Sequence, residues 1–192
     1  MTAKSLLLIL LLSLAAPALA DFEAGVAAAR AGDYATALRE WRPLAEQGHR
    51  DAQFNLGLLY ENGLGVPRDA AAAAAWYKMA AEQGDRDSAA YLGEMYAEGM
   101  GVARDDAEAL RWYVQAAELG HSASQYNVGL FYALGRGAEP NDVEALAWLT
   151  VAVERGARDV GMLEALRKNV SRESLERAEA LSEQIRKRCK LP

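Results

Sequence analysis

The sequence predicts an all-α protein, a solenoid of stacked helical hairpins, and three observations predict it. Six residue columns recur at a fixed interval of 36 residues. The segments between the repeated turns carry helical apolar spacing, and the turns are glycine pairs flanked by a capping residue. A fixed period of this length marks stacked supersecondary units, each unable to bury its apolar face alone.

The columns are Gly48, Gly84, Gly120 and Gly156; Gly57, Gly93 and Gly129; and Tyr60, Tyr96 and Tyr132. Gly63, Gly99 and Gly135 follow, then Gly65, Gly101 and Gly137, and finally Trp76, Trp112 and Trp148. The first unit sets the pattern with a helix over about Asp51 to Glu61 and a second over about Asp69 to Gln83. Ala52, Leu56, Leu59 and Tyr60 fall on one face of the first helix. The chain reads "NGLGVPRD", then "EGMGVARD", then "LGRGAEPND" at the turns. A phosphate loop is a single device at a strand–helix junction; a GxG that occurs three times between helices is a turn. Its first glycine ends a helix in the left-handed conformation, and Asp69, Asp105, and Asn141 or Asp142 cap the next.

Gly57, Gly93 and Gly129 sit mid-helix, where glycine costs about 1 kcal/mol against alanine. The recurrence implies close approach of a neighbouring backbone or of the Trp ring. Trp76, Trp112 and Trp148 are expected as core wedges between helices.

The ends depart from the pattern. Residues 21–48 form a degenerate hairpin in which Phe22 to Ala31 is a short first helix and Trp41 aligns with Tyr77. The repeats then run 49–84, 85–120 and 121–156. Residues 157–192 form a C-terminal cap, with Ser171 capping a helix from Arg172 to about Arg188. Leu175, Ala178, Leu181 and Ile185 make one stripe on it, suited to cover the last repeat.

Residues 1–20 read as a signal peptide: Lys4, an apolar run from Leu6 to Ala16, and Ala18-Leu19-Ala20 before a cleavage expected between Ala20 and Asp21. The run is too short for a membrane span. The expected location is therefore the periplasm or outside the cell, with no transmembrane segment in the mature chain. The formal charge is −6, with a pI near 5.1, which argues against nucleic-acid binding. Cys189 is the single cysteine and has no internal disulfide partner; pairing with another chain is left open.

The small-residue, "NLG", Tyr60 and "NGLGV" pattern, continued by "AAAWYKMAAEQG" up to Gly84, resembles the Sel1-like repeat family. This is a tetratricopeptide-related group of helical hairpins. "YLGEMYAEGMGVARD…WYVQAAELG" and "YNVGLFYALGRG…AWLTVAVERG" repeat the likeness. The resemblance covers about Asp21 to Gly156. Leu149 replaces the aromatic after Trp148, and Pro140-Asn141 replaces the Arg-Asp of the earlier turns. The resemblance implies a right-handed superhelical array that serves as an exported bacterial adaptor for other proteins. One cysteine-rich branch is linked to penicillin binding and β-lactam hydrolysis, but no repeat here contains a cysteine.

No HExxH, GxSxG, CxxC or P-loop pattern occurs, and no catalytic residue, cofactor or metal site is expected. His49 and His121 are equivalent turn positions 72 residues apart, too distant to share a proton or a metal. The function expected is non-catalytic recognition of a peptide or helix in a concave groove lined by the first helices. Its candidate residues are Asn55, Tyr91 and Asn127, with Glu94 and Gln125 beside them. A self-assembling envelope component or a cell-wall or β-lactam hydrolase is the alternative. At the C-terminus Arg186, Lys187, Arg188 and Lys190 read as a solvated helix end, or as a weak contact to anionic lipid or an acidic partner.

Overall fold

The chain's first described helix begins right after an aspartate that accepts from two backbone N–H groups, and an Asp or Asn does the same at the second helix of each of the three repeats. The computed structural model describes residues 21–157 and 161–189; the expected signal peptide, its expected cleavage point and Lys190 lie outside them. Among the described residues there are ten helices and no strand. The N-terminal hairpin is α1 (Phe22–Arg30) and α2 (Tyr34–Glu46). Three hairpins of equal build follow: α3 (Arg50–Asn62) with α4 (Ala70–Glu82), α5 (Arg86–Glu98) with α6 (Asp106–Glu118), and α7 (Ser122–Leu134) with α8 (Asp142–Glu154). Two further helices, α9 (Gly161–Asn169) and α10 (Arg172–Arg188), close the array. Each helix packs on its sequence neighbours from α1 to α8, which is the arrangement of a solenoid.

The turns form as their residues dictate. Gly63, Gly99 and Gly135 end α3, α5 and α7 with φ of 67°, 72° and 65°, the left-handed region that glycine enters without a Cβ penalty. Asp69, Asp105 and Asn141 then cap α4, α6 and α8, each accepting from two backbone N–H groups. The same three residues donate their own N–H to the carbonyls of Tyr60, Tyr96 and Tyr132, at 2.9, 3.0 and 3.0 Å. Each turn is thereby tied back across the hairpin. The second glycine of each pair has a separate reason. A Cβ on Gly65 would lie 2.7 Å from the Tyr34 carbonyl carbon, and Gly101 and Gly137 press on Ala70 and Asp106 in the same way. The turn of one repeat thus rests on the start of the preceding repeat's second helix.

The mid-helix glycines are explained by a different ring from the one expected. A Cβ on Gly57 would collide with the Tyr77 ring, one on Gly93 would sit 2.6 Å from Tyr113 Cδ1, and one on Gly129 would sit 2.6 Å from Leu149 Cγ. Gly25 meets Trp41 likewise, so the N-terminal hairpin uses the same lock in shorter form. In the three repeats the residue after the tryptophan, not the tryptophan, fills the notch.

The tryptophan column also needs correction at its first member. Trp112 and Trp148 are 1% and 2% exposed, but Trp76 is only half-buried. The Arg111 guanidinium lies over Trp112 at 4.0 Å and that of Arg188 over Trp148 at 5.9 Å. Ala75 stands where Arg111 stands one repeat later and has no side chain to reach across.

Helix α10 docks directly on α8, while α9 makes a slighter contact with α8. Ile185 and Ala178 are buried, with Leu175 and Leu181 packed beside them, so the apolar stripe covers the last repeat. Arg186 holds Glu154 through two hydrogen bonds of 2.7 and 2.9 Å, and Arg188 pairs with Glu118 at 3.3 Å. Two of the four terminal cations are therefore engaged by the array itself.

Gly93→Ala is expected to lower stability by about 1–3 kcal/mol despite alanine's better helix propensity, because the added methyl overpacks the notch. Thermal unfolding followed by circular dichroism checks it. Ile185→Ala should cost about 2–5 kcal/mol by the same measurement, the range for emptying a buried aliphatic site.

Candidate binding cavity

Among the candidate residues, Tyr91, Glu94 and Asn127 converge on one cavity of about 320 Å³. Its wall comes from α3 through Phe54, from α5 through Asp87, Ala90, Tyr91 and Glu94, and from α7 through Ala123, Ser124 and Asn127. Tyr113 on α6 and the capping residue His121 complete it. The second and third repeats meet here, so the stacking of first helices builds the cavity.

Phe54, Tyr91 and Tyr113 give it an aromatic lining, and the buried Tyr77 backs it. Tyr77 and Tyr91 stack at 5.1 Å with their planes 9° apart, and Phe54 leans on both at 6.0 and 6.2 Å. The Tyr77 hydroxyl donates to Glu61 Oε2 at 2.6 Å. Burial pushes the Tyr77 and Tyr91 hydroxyls up, with the negative charge of Glu61 reinforcing both. Tyr113 is pushed up to about 12, first by burial and then by Glu94 and Glu98. All three phenols stay neutral near pH 7 and serve as donors and ring surfaces.

Electrostatically the cavity is acidic. Asp87 is matched by its neighbour Arg86 at 2.9 Å, and Arg136 is committed to Asp106 at 2.7 Å. Among the described residues Glu61, Glu94 and Glu98 form no ion pair.

His121 is a half-buried cap. Its Nδ1 accepts from the Ser124 backbone N–H at 3.1 Å and lies 2.8 Å from Ser124 Oγ. Accepting requires an unprotonated Nδ1, and burial lowers the pKa of the ring. No signal in the sequence separated this lining role from the turn role it shares with His49.

Two candidates do not reach the cavity. Asn55 is half-buried on α3 and lies outside its lining. Gln125 must be withdrawn as a ligand contact: it is 0% exposed, and its Nε2 donates to the Ala117 carbonyl at 3.1 Å. Gln53 does the same for Ala45 at 3.0 Å, and Gln115 reaches the Ala81 carbonyl. Ala45, Ala81 and Ala117 occupy one column at the C-terminal ends of second helices, where carbonyls lack intrahelical donors. Each already accepts the N–H of the glycine three residues on, and the glutamine amide adds a second hydrogen bond to an oxygen with two lone pairs. Cys189 Sγ–H also donates to Ala117, at 3.5 Å, and the buried thiol has its pKa raised mainly by desolvation. A thiol so placed is poorly disposed to link two chains.

The remaining charges suit capping and inter-repeat pairing. Among the described residues no group of three or more His, Cys, Asp or Glu is placed to hold a metal ion, and no helix is long and apolar enough to cross a membrane.

The family model of the Sel1 repeat matches residues 50–85, 86–121 and 122–156. The chain belongs to the Sel1 repeat family. Among solved structures it is similar to a Sel1 repeat protein from Oxalobacter formigenes, with 30% identity, a TM-score of 0.71, and coverage of 85% of this chain and 70% of that one. It is also similar to a protective antigen present in uropathogenic Escherichia coli strains and displaying an SLR fold. There the identity is 28%, the TM-score 0.50, and the coverage 87% of this chain but 45% of that one. No curated protein matches the chain. Sel1 repeat proteins are generally protein-interaction adaptors and typically non-catalytic scaffolds.

His121 should titrate below its usual value near 6.5. Because the folded value is depressed, its contribution to stability is full above about pH 6.5 and is lost as the pH falls through that range. Nuclear magnetic resonance of the ring protons against pH checks the shift, and His121→Asn, which retains a cap, should flatten the acid-side loss in Tm.

Proposed function

We propose that this Sel1 repeat protein is a non-catalytic adaptor that holds a segment of a partner protein along the face of its first helices. Its place of action is the periplasm or the space outside the cell. The observation that carries the reading is the cavity where the second and third repeats meet. It combines the rings of Tyr91 and Tyr113, the first backed by the buried Tyr77, with the unpaired carboxylate of Glu94 and the amide of Asn127. Apolar surface with a few convergent polar groups is the general character of a recognition site. Tyr91 and Asn127 stand one period apart on successive first helices, so a segment lying across the stack would meet both.

The exported location is supported by the signal-like character of residues 1–20. Lys187 is exposed at the terminus and remains available for a weak contact with an acidic surface.

Crosslinking of the mature protein in its native cell envelope, followed by affinity capture, tests the adaptor reading. One partner held by the wild type and lost from Tyr91→Ala/Asn127→Ala is the expected result. Retention of that partner by the double variant moves the site off this cavity, and recovery of the chain alone favours self-assembly.

A further inference from the structure

The cavity lacks a counter-charge of its own. Glu94 projects from the middle of α5, away from any helix start, so capping does not account for it. Glu61 and Glu98 flank the same tyrosines, one beside Tyr91 and the other beside Tyr113. The two arginines that reach this region are already spent, Arg86 on Asp87 and Arg136 on Asp106. An occupant that covered Glu94 with neutral surface would strip its carboxylate of water and give nothing back.

An acidic occupant would add like-charge repulsion. A cation satisfies both constraints, and the tyrosine rings offer it a negative π face. The molecule already uses that contact elsewhere: the Arg111 guanidinium lies 4.0 Å from the Trp112 ring centre and that of Arg136 lies 4.3 Å from Phe131.

We infer that the partner segment is basic, and that a lysine or arginine side chain enters this cavity between Glu94 and the ring of Tyr91. The inference rests on the adaptor reading of the same face and specifies the chemistry of its ligand. The hydroxyl and amide groups of Tyr113 and Asn127 then meet the segment's backbone, while the positive side chain meets Glu94.

The test uses three capped nine-residue peptides of one sequence that differ only in carrying three lysines, three glutamines or three glutamates. Each is titrated into the isotope-labelled protein spanning Asp21 to Pro192, and the backbone resonances are followed. The lysine peptide is expected to shift Tyr91, Glu94, Tyr113 and Asn127 in a saturable way, and the glutamate peptide is not. Glu94→Gln should weaken the lysine peptide roughly two- to fivefold, the range for a partly exposed charge pair. Tyr91→Phe, which keeps the ring quadrupole, should retain binding, whereas Tyr91→Leu should lose roughly threefold or more. Glu139→Gln, in an exposed turn away from the cavity, should change nothing.

Equal binding of the lysine and glutamine peptides at the cavity overturns the cationic specificity and leaves the adaptor reading standing. Shifts scattered over the surface, with Glu139→Gln weakening binding as much as Glu94→Gln, overturn it as well, because net charge alone then explains the attraction. Absence of any shift at the cavity with all three peptides defeats both readings. Unchanged thermal unfolding of Glu94→Gln and Tyr91→Leu keeps the comparison free of folding effects.

Discussion

The close seating of one side chain in the notch of a mid-helix glycine is the contact on which this molecule depends. Gly57, Gly93 and Gly129 give up about 1 kcal/mol of helix propensity each, and Tyr77, Tyr113 and Leu149 occupy the space so made. That exchange brings the two helices of a hairpin together at one fixed place in each repeat. Everything else is arranged around it: the turn glycines return the chain, the Asp or Asn caps start the next helix, and the buried Gln53 and Gln125 add a second hydrogen bond to carbonyls at the end of the preceding second helix. Because the notch is filled by the residue following the tryptophan, the tryptophan itself is left free to face a neighbouring layer. There its burial depends on what covers it, which is why Trp112 and Trp148 are sealed and Trp76 is not.

The same lock shapes the face that carries the cavity. Tyr77 and Tyr113 reach the first-helix face because they are held in the glycine notches, and Tyr91 then stacks on Tyr77 from the following repeat. The packing core and the cavity floor are thus continuous. Where Leu149 replaces tyrosine in the third repeat, the ring is lost and an apolar cluster with Leu146, Leu163 and Ala178 takes over. The substitution coincides with the end of the array, where α10 covers the surface that a further repeat would use. An aromatic floor is kept where first helices stack on first helices, and dropped where the cap lies down.

The fold was almost fully legible in the sequence, and the reason is the repetition. Each turn and cap occurs three times, so a backbone requirement shows itself as a column. Helix limits followed to within a residue or two for α3, α4 and α10. The site was less legible because side-chain facing is a matter of angle, and one position along a helix turns the side chain by 100°. Tyr91 and Asn127 fall on the cavity. Gln125, two residues before Asn127, points into the stack and serves the Ala117 carbonyl. Polarity misled here: a glutamine reads as exposed, whereas a helix end in a solenoid leaves buried carbonyls with a second lone pair that an amide can use. The role of Tyr77 was hidden for a related reason, since an aromatic pair such as Trp76-Tyr77 gives no sign of which ring enters the notch.

Charge separates what holds the array from what is left over. Most ion pairs in this chain join residues close in sequence or tie one repeat to the next, as Arg136 does with Asp106 and Arg186 with Glu154. Asp69, Asp105 and Asn141 are consumed in capping. After these uses, the carboxylates of Glu61, Glu94 and Glu98 remain along the tyrosine-lined face without an ion pair among the described residues, Glu61 holding the Tyr77 hydroxyl. Near the surface each is solvated and costs little; under an occupant each loses water. The selectivity of such a face comes from that difference. A surface that is acceptable only while wet favours the one class of ligand able to replace the water with opposite charge. The tyrosines, neutral near pH 7, add attraction without cancelling the field.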